Sequence, residues 1–365
     1  MTIYTLTVHH AHNYGAMLQA YALQQKLLEL GFVTRIIDYD EIKSKLFYPV
    51  KKNSLNESVY NLLFNFKILL YYKQYKRAYD RFEKFYDEQF LKTDKYEECT
   101  DIKVPESDIL LVGSDQIWNL KQGKSRHYFF LDFSNSAIKA SYAASMGSFF
   151  SLNDSVREEF KRALLDFKQI SVREKESGDY IKQLTGCDYQ LHIDPVFLLE
   201  RNKWDFLVEQ CPEERRHEKY IFCYELIPSK TLEECVRAIT KRTGFKVVSI
   251  SPDAHSRLRG DIIIRNAGPI EMLKWLRDAE IVISSSYHGI AFSILYEKPF
   301  YAITTEHGKG RIDELLENMG LESRIGNGRS DYDITCDFTE ARKYICSQKT
   351  LAEKYLCSLS YLGRK

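Results

Sequence analysis

Residues 1–40 read MTIYTLTVHH AHNYGAMLQA YALQQKLLEL GFVTRIIDYD, and their pattern decides the fold. Ile3–Val8 alternates with β-branched residues, as a half-buried strand does. His9–Gly15 is polar and turn-like. Over Ala16–Leu30 apolar residues recur at 17, 18, 20, 22, 23, 27, 28 and 30, a helical stripe, and Gly31 is placed to cap it. Val33–Ile37 is a second strand, ending in Asp38-Tyr39-Asp40. Strand, helix and strand in this order form a βαβ unit, which predicts a parallel sheet covered by helices.

The alternation continues along the chain with one interruption. Residues 41–100 insert a stretch, Leu55–Phe90, that reads as mostly helical and is rich in aromatics and Lys/Arg. Strands follow at Asp108–Val112, Lys139–Ala144, Ile170–Val172 and Leu191–Asp194, with helices over Val156–Phe167 and Ser177–Leu184. The charged, Pro-containing Glu209–Lys219 (EQCPEERRHEK) suits a linker or exposed loop. A second series then starts, with strands at Tyr220–Glu225, Lys246–Ser251, Ile262–Ile264, Ile281–Ser284 and Phe300–Ile303. Its helices are Leu232–Thr243, Pro269–Arg277, Gly289–Tyr296 and Ile312–Met319, and Phe338–Tyr361 closes the chain as a helix. The expected fold is α/β and GT-B-like, two doubly wound Rossmann-like domains whose parallel sheets face a central cleft. Their expected limits are 1–200 and 201–336, with 337–365 a helix returning toward the first. In such sheets ligands bind at the carboxyl ends of the strands.

Composition narrows the function. Across 365 residues, 52 Lys+Arg against 51 Asp+Glu leave a net +1, with no electrostatic footprint for duplex nucleic acid. At 44% hydrophobic and 28% charged residues, the chain can bury a sizeable core. No apolar run approaches the roughly 18–20 residues that span a bilayer. The N-terminus lacks the basic and apolar regions of a signal peptide, so a cytoplasmic protein is expected. The eight cysteines are never closer than ten residues and form no CxxC pair, so neither a zinc ribbon nor a thioredoxin-type site is readable.

The strongest chemical signal is Ser284-Ser285-Ser286-Tyr287-His288-Gly289, between an apolar strand and a helix. Free backbone N–H groups and the positive helix end favour an anion there, and His288 can supply a proton or a charge-assisted bond. An N-cap serine beside a packed histidine is the competing structural reading. Arg173 directly follows a strand, where a guanidinium can fork onto a carboxylate or phosphate, or pair with Glu174 or Glu176. Lys309 and Arg311 are further cations near a strand end. Ser114-Asp115-Gln116 after Gly113, Ser145 at the next strand end, and Asn13-Tyr14-Gly15 at the first helix suit a sugar-binding loop or ordinary turns. A single Gly there falls short of the dinucleotide fingerprint. His9, His10 and His12 invite a metal, but adjacent strand side chains point to opposite faces and no carboxylate lies at a helpful interval, so none is expected. Over residues 67–84, Lys and Arg alternate with Tyr and Phe. Such a helix can rest on anionic lipid at the inner face of a membrane, or be a solvated helix packed on its domain.

In order, these segments resemble the polysaccharide pyruvyl transferase family. The matching pieces are Asn13–Ala16 with Leu18–Leu23 (LQAYAL), Asp108–Trp118 (DILLVGSDQIW), and Ser171–Gly178 (SVREKESG). They continue with His192–Leu199 (HIDPVFLL), Gly268–Leu273 (GPIEML), and Ser284–Phe300 (SSSYHGIAFSILYEKPF), and the resemblance covers about residues 3–325. It implies a GT-B-like transferase that moves the enolpyruvyl carbons of phosphoenolpyruvate onto a sugar. Two hydroxyls of a hexose such as galactose become bridged as a pyruvate ketal, with phosphate released and no cofactor. The acceptor would be a bacterial cell-surface polysaccharide, such as a capsule or exopolysaccharide, or its lipid-linked oligosaccharide precursor. His288 would sit at the donor with Arg173 binding its anionic groups, aided by Ser285, Ser286, Tyr287, Gly289, Lys309 and Arg311. Asn13, Tyr14, Gly15, Ser114, Asp115, Gln116 and Ser145 would face the acceptor. Family members often carry Arg two residues before this His; here the position is Ser286, with Lys309 or Arg311 as candidate replacements. A nucleotide-sugar glycosyltransferase and a non-catalytic sugar-binding relative are the competing readings.

Overall fold

The computed structural model describes residues 1–39, 69–119, 128–134, 136–147, 154–212, 218–226, 229–250, 259–304, 309–326 and 332–362. The opening unit forms as the periodicity predicts, with β1 (Thr2–Leu6), α1 (Tyr14–Glu29) and β2 (Val33–Asp38). The helix α2 (Tyr72–Gln89) is the described part of the long helical expectation; Leu55 and its neighbours up to 68 lie outside the described residues. Then come β3 (Lys92–Lys95), β4 (Ile109–Val112), β5 (Ile138–Ser141), α3 (Asp154–Leu164) and β6 (Phe167–Gln169). Phe167, expected to end a helix, instead opens a strand. The helix ends at Leu164, and Phe167 pairs with Lys139 of β5, so the sheet rather than the helix takes it.

Next in the chain are β7 (Ser171–Val172), α4 (Lys175–Thr185), β8 (Gln190–Leu191) and a helix that sequence periodicity did not separate, α5 (Arg201–Glu209). The second series contains β9 (Tyr220–Tyr224), α6 (Lys230–Thr243), β10 (Lys246–Ile250), β11 (Ile262–Ile264) and α7 (Pro269–Asp278). It finishes with β12 (Ile281–Ser284), α8 (Tyr287–Leu295), β13 (Phe300–Ala302), α9 (Lys309–Asn318) and α10 (Thr339–Leu362).

Three parallel sheets form among the described residues, six strands in the order β3-β2-β1-β4-β5-β6, five in the order β11-β10-β9-β12-β13, and the short pair β7-β8. Their central strands are buried on both faces, which is why they read as unbroken apolar runs rather than alternating ones. Period-two geometry still divides them. Ile109 and Leu111 face one core while Leu110 and Val112 face another. Tyr220, Phe222 and Tyr224 of β9 point into the same core as Ile109, so one apolar cluster joins the two sheets' layers. The chain is therefore α/β and GT-B-like, two Rossmann-like layers meeting at a cleft. The last helix, α10, lies on the first sheet's side. Tyr355 Oη donates to the Ser141 carbonyl at 2.7 Å, and Glu353 pairs with Lys26 at 3.1 Å.

Strand order reverses direction between β1 and β4 in the first sheet, and between β9 and β12 in the second. Those switch points open crevices at the carboxyl ends of the strands. The loops leaving β1, β4 and β12 carry Asn13–Gly15, Ser114–Gln116 and Ser284–His288, so topology sends these segments to the cleft.

Beside the cleft, His192 is buried with Nδ1 2.8 Å from Ser171 Oγ and its ring 4.5 Å from that of Tyr355. Burial pulls its imidazole down to about 4 from an ordinary 6.5. A folded value below the unfolded one means that its stabilising share is complete above pH 6.5 and lost as pH falls toward 4. The full loss is about 3 kcal/mol. Urea unfolding at pH 7.5 and 5 should show this slope in the wild type and a visibly flatter one in His192→Gln. Equal slopes would remove His192 as its source.

Candidate active site

Asn13 begins the site from the first domain. Its Oδ1 accepts from the amides of Gly15 and Ala16 at 3.0 and 3.3 Å, capping α1, so the asparagine is committed to the helix end. Tyr14 leaves the first domain, its hydroxyl donating to the Ala267 carbonyl at 3.3 Å. Gly15 is glycine for a reason of space. A Cβ there would lie 2.2 Å from Nδ1 of His288, so the imidazole rests directly on the start of α1.

The second domain presents α8 from the opposite side. Ser286 caps it, accepting from the Gly289 amide at 3.3 Å, and its own N–H donates to Ser284 Oγ at 3.0 Å. Ser285 Oγ accepts from the Leu226 amide at 3.0 Å. The serine run thus bonds to the backbone, and of the next two residues Tyr287 lines the cavity while His288 is buried against Gly15. Gly289 admits no side chain, because a Cβ would meet Ser284 Oγ at 2.4 Å.

Asp194, in the segment after β8, reaches His288, and Arg173, directly after β7, reaches Asp194. Arg173 Nη1 donates to Asp194 Oδ2 at 2.5 Å, Nε donates to Glu174 Oε1 at 2.8 Å, and the guanidinium lies 4.3 Å from the Tyr287 ring centre. Its Nη2 is buried and without a hydrogen-bond partner among the described residues. Burial works against its charge, but Glu174, Tyr287 and Asp194 hold the guanidinium well above its ordinary value.

Asp194 also caps the short helical turn Pro195–Phe197, its Oδ1 accepting from the Val196 amide at 3.1 Å. His288 Nε2 is 3.5 Å from Oδ2, a charge contact without hydrogen-bond alignment. Burial alone would raise this carboxyl. His288, then Arg173 and the Val196 amide, outweigh that and hold it at about 2. One ionised carboxylate therefore faces the arginine and the histidine together. The sequence reading had Asp194 only as the end of a strand.

Arg311 lines the same cavity as Tyr287. Its two Nη atoms lie 3.1 and 3.2 Å from the Gln116 side-chain amide, which accepts from both when its oxygen is turned to them. Its Nε is buried with no partner among the described residues, and burial and then Arg173 pull the guanidinium below its ordinary value. Lys309 opens α9, and its side chain lies outside the described residues.

The neighbouring loop residues divide in the same way. Ser114 is fully buried and donates to the Ala143 carbonyl at 2.9 Å, and Ser145 Oγ accepts from the Gly147 amide at 3.0 Å. Asp115, by contrast, sits at φ +65°, a left-handed backbone unusual outside glycine. Its carboxylate has no hydrogen bond or ion pair among the described residues, and its charge acts on Arg173, Arg311 and Tyr224. Arg173, Asp194, Tyr287 and Arg311 line a cavity of about 400 Å³ that runs back to Leu315, Tyr344 and Leu351.

The three early histidines do not gather around one point. His9 Nε2 meets Asp38 at 3.2 Å, while His10 and His12 both reach Glu83 of α2, at 3.1 and 2.9 Å. Burial would raise Glu83, but His10 and His12 together bring it to about 2. Among the described residues, no cluster of His, Cys, Asp or Glu has the arrangement to hold a metal ion.

This architecture resembles sugar-nucleotide enzymes in outline. The UDP-N-acetylglucosamine 2-epimerase of Rickettsia bellii is 9% identical, with 100% of this chain and 98% of that one covered and a TM-score of 0.49. The Neisseria meningitidis UDP-GlcNAc 2-epimerase bound to UDP-GlcNAc is 11% identical, covering 98% and 94%, with a TM-score of 0.46. A spinosyn rhamnosyltransferase is 13% identical, covering 98% and 94%, with a TM-score of 0.40. No curated protein matches the chain at significance. The family model described as polysaccharide pyruvyl transferase matches residues 13–307. That span takes in Gly15, Asp115, Arg173, Asp194 and His288, and the chain belongs to the polysaccharide pyruvyl transferase family.

Proposed function

We propose that the cleft binds phosphoenolpyruvate and transfers its three-carbon unit, as a pyruvate ketal, onto two hydroxyls of a hexose such as galactose, releasing phosphate. The observation that carries this reading is a pair of arginines each with a buried donor to spare. Arg173 Nη2 and Arg311 Nε are both unpartnered among the described residues, and both side chains line the cavity together with Tyr287. A buried unsatisfied donor costs about 1–3 kcal/mol, more when charged, and a carboxylate or phosphate would remove that cost at both. Phosphoenolpyruvate brings one of each. Arg311 lies just beyond the family-matched span and supplies the cation that Ser286 lacks.

The chemistry follows from the placement of charge. A proton from His288 to the terminal carbon of the donor leaves an oxocarbenium-like centre at C2, which an acceptor hydroxyl attacks. Asp194 Oδ2 lies 3.5 Å from Nε2 of that ring. The attacking hydroxyl must shed a proton, and the free carboxylate of Asp115 is the acceptor for it, with Gln116 beside it. Departure of phosphate regenerates an oxocarbenium centre, the second hydroxyl closes the ketal, and its proton returns to the His288 imidazole. These steps need no metal or cofactor. Such an enzyme would work in the cytoplasm, on a cell-surface polysaccharide or its lipid-linked precursor.

Thermal unfolding with phosphoenolpyruvate, UDP, GDP or buffer alone tests the reading. A ligand at 100 times its Kd stabilises the fold by about 2.7 kcal/mol. We expect that shift with phosphoenolpyruvate and its loss in Arg311→Met. A shift with a nucleotide alone would instead make the protein a nucleotide-sugar glycosyltransferase. No shift with any of them would leave a sugar-binding relative without this donor.

A further inference from the structure

We infer that the exposed start of α2 and the three residues before it, 69–77, together with Arg265, dock on an anionic lipid bilayer. The inference stands apart from the proposed chemistry. Leu69, Leu70 and Tyr72 are 73%, 63% and 54% exposed, three large apolar side chains within four residues that the fold leaves in water. Lys73, Lys76 and Arg77 are exposed among them. Arg265 adds a fourth cation, its guanidinium 3.9 Å from the Tyr71 ring centre. The nearby acid is Asp80, which Lys76 pairs with; Lys73 and Arg77 have no ion-pair partner among the described residues. A chain of net charge +1 thus gathers four cations and three apolar side chains at one place.

The opposite face is firmly held. Tyr75, Ala78, Phe82, Phe85 and Tyr86 are buried, and Arg81 Nη1 donates to the Asn266 carbonyl at 2.7 Å. The exposed residues are therefore not a loose end seeking their own core. Cations interleaved with leucine and tyrosine suit the boundary between headgroups and acyl chains. A polyanion such as nucleic acid has no use for the leucines. A two-fold contact with a second copy would set the same cations against one another. Tyr79 of this helix packs edge-on against His12 in the loop leading to Asn13, so docking would bring the cleft's rim to the lipid surface. No described helix is long and apolar enough to cross a membrane, so the contact is peripheral.

Cosedimentation with vesicles of phosphatidylglycerol and phosphatidylcholine, against phosphatidylcholine alone, is the test. The wild type should bind the anionic vesicles and be released by salt. Lys73→Glu combined with Arg77→Glu should weaken binding by about tenfold or more. Leu69→Ser with Leu70→Ser should also weaken it, and both pairs should keep the wild-type unfolding midpoint and turnover on a water-soluble acceptor. Failure of the wild type to bind, or equal binding by the charge-reversed pair, overturns the inference. So does a wild-type dimer in velocity sedimentation that Leu70→Asp dissociates, since the surface would then belong to a second copy.

Discussion

Replacing His288 with alanine should lower phosphate release from phosphoenolpyruvate by about 10²–10⁴-fold, the usual contribution of a positioned acid or base. The ring is placed for that role by two contacts that a merely structural histidine would not need together. Its Nδ1 edge rests on Gly15, where even a methyl group has no room, and Nε2 faces the ionised Asp194 at 3.5 Å. The first contact fixes the ring between the domains, and the second sets a carboxylate against its Nε2. His288→Ala would leave Asp194 still paired with Arg173 and the Val196 amide, so the buried carboxylate is not stranded and the fold should survive. His288→Gln keeps most of the volume over Gly15 and controls for the gap. A loss in both variants with the unfolding midpoint held marks a chemical role. Wild-type turnover in either would remove His288 from the reaction.

Much of this was legible in sequence, and the parts that were not share a cause. Strands such as Ile109–Val112 and helices such as Pro269–Asp278 announce themselves through local periodicity, and the order of the elements dictates two parallel sheets. Chemical partners that meet across long separations leave no such mark. Asp194 follows His192 in a stretch that reads only as a strand stopped by Pro195. Its partnership with Arg173 depends on β7 and β8 pairing side by side, Val172 opposite Leu191. Glu83 likewise looks like one more charge on a solvated helix, yet His10 and His12 both converge on it. Ser285 and Ser286 look like ligands for an anion, and the sequence does not show that both hydroxyls also accept from backbone amides. Arg311 could be noticed as a cation near a strand end, but its unsatisfied Nε and its reach to Gln116 are facts of three dimensions.

Asp194→Asn should produce the largest combined effect on stability and turnover. The carboxylate is fully buried and holds Arg173 at 2.5 Å, and breaking one side of such a pair costs about 3–5 kcal/mol. Asparagine can still cap Pro195–Phe197 through its oxygen, but its amide nitrogen then faces the guanidinium, donor against donor. The sign of the pH dependence follows from a carboxyl held at about 2, below its ordinary 3.8. Its stabilising share is complete above the unfolded value and lost as pH falls toward 2, so the deficit of the variant should be greatest near neutrality and shrink in acid. Turnover separates positioning from mere folding. His288 loses the carboxylate that faces its Nε2, so kcat should fall by about 10²-fold or more, as when the carboxylate behind a catalytic histidine is removed elsewhere. Arg173, released from its partner, keeps its donors for the substrate anion, so KM for phosphoenolpyruvate should not rise in proportion. A fall in kcat alone is the signature of a residue acting through His288. A destabilised protein with unchanged kcat would confine Asp194 to holding the fold.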